Sequence, residues 1–359
     1  MNEFENGPGT DRGRFDSGPV INPVGLMGGT AAALAIGAGS ALPLAGGPVA
    51  FTHCEILQSD DAGGTVSRMI PAMEGAAASS DLTGKRENFA GHDLACPVIM
   101  GVVNVTPDSF SDGGDHADPA AAIAHARSLI DAGADILDIG GESTRPGAAA
   151  IGVAEECDRI LPVIEAAVAA GMTVSVDTRR AETMLAAVDA GASIVNDVTA
   201  LTGDPGSLEA VAATEAAVIL MHMQGTPETM QDAPEYGLAS FDIFHWLKAR
   251  IAACAAAGIP RRRIAVDPGI GFGKTDGHNM EILHRAGVFH GLGCAVAVGV
   301  SRKSFIGRIA GIETPRDRLP GTLAATAIAL SRGVQIHRVH DVAAARQAMA
   351  VWNAQYDNG

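Results

Sequence analysis

The chain has 359 residues, 47% of them hydrophobic, enough to bury a sizeable core in one large domain or two ordinary ones. Its formal net charge of −16 and aromatic content of only 4% exclude a broad nucleic-acid surface and a stacking platform for single strands, while leaving room for a local basic pocket that takes a small anion. The five cysteines, Cys54, Cys96, Cys157, Cys254 and Cys294, are scattered and form no CxxC pair, which fits reduced thiols in a cytoplasmic protein better than a disulfide framework or a structural zinc site.

Residues 1–95 read as an N-terminal extension of accessory character. Its opening, "MNEFENGPGTD", is acidic and lacks the basic start of a signal peptide. The stretch from Ser17 to Cys54 contains no Asp, Glu, Lys or Arg, but Pro19, Pro23, Pro43, Pro48 and many glycines break it, so no membrane span is expected. Disorder is expected over 1–16 and roughly 58–93, and "ALPLAGGPVAFTHCEIL" predicts one or two short strands. The extension is expected to be dispensable for turnover.

Over residues 96–359 the texture changes. Short runs rich in Val and Ile predict strands at 98–105, 134–141, 173–178, 193–198, 217–223, 263–269, 295–303 and 334–341. Between them lie Ala-rich segments with helical spacing, several closed by a glycine: Gly133, Gly171, Gly191 and Gly258. Eight strand–helix repeats predict a (β/α)8 TIM barrel. A doubly wound open sheet is the alternative, and the absence of Gly-x-Gly-x-x-Gly before the first helix weighs against it.

The predicted strands end on polar groups: Asn104, Glu142, Asp177, Asn196 with Asp197, His222, Asp267, Lys303, and Arg338 with His340. A parallel barrel gathers all these ends at one catalytic rim. Singly, each has a plain reading. Asp177 suits a helix cap, Asn196–Asp197 a turn, His340 a core histidine bonded to Asp341, Arg302–Lys303 a surface basic pair, and Met221 a core position. Together they offer carboxylates and an amide beside cations. Asp267 suits a guanidine-like ring edge with two N–H donors, Asn196 both donates and accepts, and Lys303 donates to a ring carbonyl or nitrogen. Arg338 and His340, two apart, suit an oxyanion. "SRKSFIG" predicts a short helix whose first N–H groups suit a carboxylate. Phe272, in the glycine-flanked "GIGFGK", is poorly placed to be buried by its own neighbours. Lys303 as a Schiff-base lysine is a further alternative.

The motifs "MGVVNVTPDSFSDGG", "DIGGESTRPGA", "VSVDT", "IVNDV", "LMHMQGTPETMQ", "DPGIGFGKT", "GVSRKSF" and "HRVHD" occur in this order on successive strand ends, over about residues 97–355. Together they closely resemble the dihydropteroate synthase family of folate biosynthesis. The resemblance implies condensation of a pterin hydroxymethyl pyrophosphate with 4-aminobenzoate, both small molecules. It implies that Asp177, Asn196, Asp267 and Lys303 hold the pterin, with Met221 and Phe272 on its faces and Gly299 allowing close approach. Asn104, Arg338 and His340 would hold pyrophosphate, with Mg2+ bound to it at Asn104. Ser301 and Lys303 would face the aminobenzoate, while Phe110, Thr144, Arg145 and Pro146 belong to two loops that close over its ring. Asp177, Lys303, Arg338 and His340 are the implied catalytic groups, and a homodimer is the implied assembly. A related pterin barrel, a methyltetrahydrofolate methyltransferase, would share Asp177, Asn196 and Asp267 but has no need of "ESTRPG" or of the Arg338/His340 pair.

Overall fold

The computed structural model describes residues 18–60, 64–75, 80–106, 119–143, 151–226 and 229–355. Two sheets account for its strands. The first contains β1 (Val20–Met27), β2 (Leu42–Pro43), β3 (Ala50–Ser59) and β4 (Thr65–Pro71). β3 is central, antiparallel to β1 along one edge and to β2 and β4 along the other. β2 and most of β3 fall within the stretch predicted to hold short strands, and β3 runs on to Ser59. For the described residues of 58–93 the expected disorder is corrected: β4 pairs with β3 from Thr65↔Ser59 to Pro71↔His53, and helical turns follow at Ala72–Gly75 and Ser80–Thr83. Most of β4 is exposed, so it lacks the apolar alternation of a half-buried strand; its partner orders it rather than its own burial.

The second sheet comprises β5 (Val98–Asn104), β6 (Ile136–Gly140), β7 (Thr173–Asp177), β8 (Ile194–Asp197), β9 (Ala217–Met221), β10 (Ile264–Asp267), β11 (Ala295–Val298) and β12 (Ile336–Val339). Every pairing is parallel, in chain order, and β12 closes on β5. This is the predicted TIM barrel, and the closure excludes the open doubly wound sheet. Both faces of such a sheet are covered, which is why its strands are continuous apolar runs. The glycine stops follow their helices with positive φ, from 79° at Gly171 to 103° at Gly191. β11 is shorter than predicted: after Val298 the chain turns, and Lys303 stands at the N-cap of the helix Ser304–Ala310.

The first sheet is packed on the barrel. Val20 and Leu57 are fully buried in the same cluster as Ile99, Leu137 and Phe289. Pro23 lies where a Cβ on Gly287 would come within 2.8 Å of its ring. The Glu55 carboxylate pairs with Arg285 at 3.2 Å. The buried Arg86 donates from Nε to the Cys294 carbonyl at 3.0 Å and from Nη2 to the His290 carbonyl at 2.5 Å. Among the described residues no helix is long and apolar enough to cross a membrane.

Candidate active site

Strand register sets the rim groups in order. Asn104 on β5, Gly140 on β6 and Asp177 on β7 are successive partners, and Asp177 is level with Asn196 on β8. Gly140 makes room between its neighbours, since a Cβ there would come within 3.2 Å of the Asp177 Cβ. From β12, Arg338 reaches across the mouth. Its Nε donates to Asp138 Oδ2 at 2.5 Å and its Nη2 to Asp177 Oδ2 at 2.6 Å. Asn196 Nδ2 donates to the same Asp138 oxygen at 3.1 Å. Burial pushes the Asp177 carboxyl up to about 7, with Arg338 opposing and Asp138 adding to the rise. The two carboxylates raise the Arg338 guanidinium further above its ordinary value despite its desolvation.

The opposite flank is built from β9, β10 and the loops after β10 and β11. Asp267 is nearly buried and accepts the Gly269 N–H at 2.7 Å; burial raises its carboxyl, chiefly against the pull of Lys303. Lys303 Nζ donates to the Ile270 carbonyl and lies 4.6 Å from the centre of the Phe272 ring, a cation–π contact. Burial lowers the Lys303 ammonium to about 8, with Asp267 resisting, so at neutral pH it is a cationic donor rather than a free amine. Met221 is buried with Val198, Met223 and Met230, and Phe272 packs against them. The loop requires glycine at 269: φ is +69°, and a Cβ would sit 1.9 Å from the His222 carbonyl. At Gly299 the two flanks meet, where a Cβ would stand 3.7 Å from Arg338 and 3.8 Å from Lys303 Nζ.

His340 follows β12 directly, and its Nδ1 lies 3.0 Å from Ser301 Oγ. Asp341 is taken by Arg302, at 2.9 Å from Nε and 2.5 Å from Nη2, so the histidine–aspartate pairing and the plain surface basic pair are both corrected. Arg302 holds this position with φ at +57°, a strained conformation for a long side chain. The cap reading of Asp177 fails as well, because Asp204 accepts the Ala181 N–H at the start of the next helix.

Other strand-end groups are structural. Asp197 accepts the Thr199 and Leu201 N–H groups at 2.7 and 2.8 Å and shapes its own turn. Glu142 pairs with Arg179 and Arg180 at 3.1 and 2.7 Å. The His222 ring, held neutral by burial and by Lys274, lies 3.2 Å from the buried Lys274 Nζ. The Asn104 side chain makes no hydrogen bond among the described residues. Phe110, Thr144, Arg145 and Pro146 lie outside the described residues.

Two groups escaped the sequence reading. Asp138 is fully buried on β6 and anchors both Arg338 and Asn196. Lys274, also fully buried, donates to the Phe272 carbonyl at 2.8 Å and fixes the loop that carries that ring. The available signal for Asp138 was a carboxylate in the interior of the apolar strand "ILDIG".

Residues 100–340 match the family model described as pterin binding enzyme. The fold and rim are therefore those of a pterin-binding TIM barrel. The chain is 47% identical over 263 residues to dihydropteroate synthase of Escherichia coli strain K12, covering 73% of this chain and 93% of that one. It is 46% identical over 264 residues to dihydropteroate synthase of Neisseria meningitidis serogroup B, covering 72% and 92%. The structure is similar to Xanthomonas albilineans dihydropteroate synthase with 4-aminobenzoic acid, at a TM-score of 0.71 and 48% identity over 75% of this chain and 97% of that one. It also resembles the same enzyme in complex with 7,8-dihydropteroate, at a TM-score of 0.68 and 45% identity over 74% and 96%. The chain belongs to the dihydropteroate synthase family, and its activity is the condensation of 6-hydroxymethyl-7,8-dihydropterin pyrophosphate with 4-aminobenzoate, giving 7,8-dihydropteroate and pyrophosphate in folate biosynthesis.

Proposed function

We propose that the barrel mouth performs this condensation with the heterocycle on the Asp267 flank and the pyrophosphate on the Arg338 flank. The observation that supports it is the meeting of an acceptor-rich wall, Asp177, Asn196 and Asp267, with Lys303 and Arg338 on either side of Gly299. Asp267 accepts from the donor edge of the pterin, Asn196 and Asp177 meet its remaining polar positions, and Lys303 donates to it. Met221 and Phe272 cover its faces, and Gly299 lets the ring approach the backbone. Arg338, His340 and Asn104 receive the pyrophosphate.

The Asn104 amide is the proposed protein ligand of Mg2+. A single neutral oxygen beside phosphate oxygens and water suits an ion that keeps much of its hydration shell. When bound, the ion neutralises charge on the pyrophosphate.

No protein nucleophile is required. The C–O bond of the pterin methylene breaks, and its electron pair leaves with pyrophosphate. The neutral arylamine of 4-aminobenzoate then forms the C–N bond and afterwards loses its proton. The protein stabilises separated charges. Arg338 and His340 hold the leaving group, and ionised Asp177 favours the cation left on the pterin. Ser301 and Lys303 face the second ring. A homodimer in the cytoplasm completes the reading; five scattered cysteines without a CxxC pair agree with a reducing compartment.

Incubating the purified chain with the pterin pyrophosphate, 4-aminobenzoate and Mg2+ should yield dihydropteroate and pyrophosphate in equal amounts. Turnover with unchanged kinetics in Arg338→Ala would defeat the assignment of the pyrophosphate flank.

A further inference from the structure

Asp138 lies behind the rim, fully buried on β6. Its Oδ2 accepts from two residues at once, Arg338 Nε at 2.5 Å and Asn196 Nδ2 at 3.1 Å. Its Oδ1 is buried with no partner among the described residues. Arg338 can only donate, so Oδ2 is an acceptor oxygen and Asn196 must turn its amide nitrogen towards it. The Asn196 oxygen, on the other branch of the amide, makes no hydrogen bond among the described residues. We infer that Asp138 is a positioning residue that sets the hydrogen-bond polarity of Asn196, so that the pocket offers an acceptor there and selects a heterocycle edge carrying an N–H donor.

The consequence is a selection rule. A ring presenting a bare acceptor at that place meets the Asn196 oxygen and loses a hydrogen bond in a desolvated site, where an unmatched polar pair costs about tenfold in affinity or more. The same Asp138 oxygen orients Arg338, so heterocycle reading and anion holding share one anchor. This deepens the pterin assignment and rests on it.

Two substitutions at Asp138 test the rule. In Asp138→Asn the amide oxygen can take the Oδ2 position and accept from both Arg338 and Asn196, with its NH2 in the place of the unpartnered Oδ1. Asn196 keeps its orientation, and binding of 6-hydroxymethylpterin to the full chain, measured by titration calorimetry, should stay within a few-fold of the parent. In Asp138→Leu no acceptor remains behind Asn196, its polarity is no longer set, and the same affinity should weaken about tenfold or more.

An Asp138→Leu chain that binds like the parent, or a folded Asp138→Asn chain that binds no better than folded Asp138→Leu, overturns the inference. If only Asp138→Asn folds, its affinity decides: near-parental binding supports the rule and a tenfold loss refutes it. Should neither fold, a structure of the parent with the bound pterin decides. A ring N–H within hydrogen-bonding distance of Asn196 Oδ1 is the supporting result, and a ring acceptor there is the refuting one. A parent chain that binds no pterin at all would instead sink the assignment beneath the inference.

Discussion

Arg338 bridges two carboxylates that lie on adjacent strands, Asp138 at 2.5 Å and Asp177 at 2.6 Å. Asp138 is sealed from water, while the side chains of Asp177 and Arg338 keep 15% and 26% of their exposure at the mouth. One cation serves two acids, and the carboxyl that burial pushes up is Asp177, the one that faces the mouth. That arrangement connects the stability of the barrel to its chemistry.

Removing the cation should therefore be felt twice. Arg338→Ala leaves the Asp138 charge buried without its partner, a change that costs about 3–5 kcal/mol in comparable sites. The melting temperature should fall. Calorimetry should also show a larger loss of affinity for the pterin pyrophosphate than for the same pterin without that group. Equal losses for the two ligands would mean that Arg338 is structural only.

Activity should depend on pH through two groups. Ionised Asp177 is required to favour the cation, and burial pushes its carboxyl up to about 7. Cationic Lys303 is required as a donor, and burial lowers it to about 8. The profile of kcat/KM should be a narrow bell with limbs near these values. Stability should move differently. Asp177 binds its proton more tightly folded than unfolded, where it titrates near 3.8, so its contribution is complete below that value and is lost as pH rises through about 7. Asp177→Asn should abolish the acid limb of the rate profile and flatten melting temperature over the same range.

Asp267→Asn retains the shape of the site but removes the charged acceptor. It also leaves Lys303 without the carboxylate that keeps it protonated against desolvation. Pterin affinity should fall about a hundredfold, as expected when a charge-assisted pair of hydrogen bonds is lost. Fluorescence titration with a pterin measures it, and an unchanged dissociation constant would refute the role.

The first sheet should prove necessary rather than dispensable. Val20 and Leu57 are fully buried in the barrel cluster, and each contributes about 1.5–3 kcal/mol by burial. A chain starting at residue 91 would also lose the Arg86 clamp on the Cys294 and His290 carbonyls. Its melting temperature and soluble yield should drop clearly below those of the full chain. A truncated chain that melts at the same temperature would show the packing to be incidental.

Much of this molecule was legible in the residues themselves. The barrel could be counted because each buried parallel strand is a short apolar run and several helices stop at a glycine. The acceptor wall could be anticipated because a barrel sends every strand end to one rim. β4 could not, since an exposed edge strand has no apolar face and exists only through its pairing with β3. Nor could Asp197 be told from Asn196: adjacent residues on a strand face opposite ways, and one shapes a turn while the other faces Asp138.

Sequence by itself determined the eightfold repeat, the polar strand ends and the family. Tertiary structure alone decided which of those ends are partners, because the anchor Asp138 is 58 residues from Asn196 and 200 from Arg338. Periodicity and local propensity act over a few residues, whereas the desolvation that forces a buried carboxylate to find donors acts through space, wherever the closed ring happens to bring them.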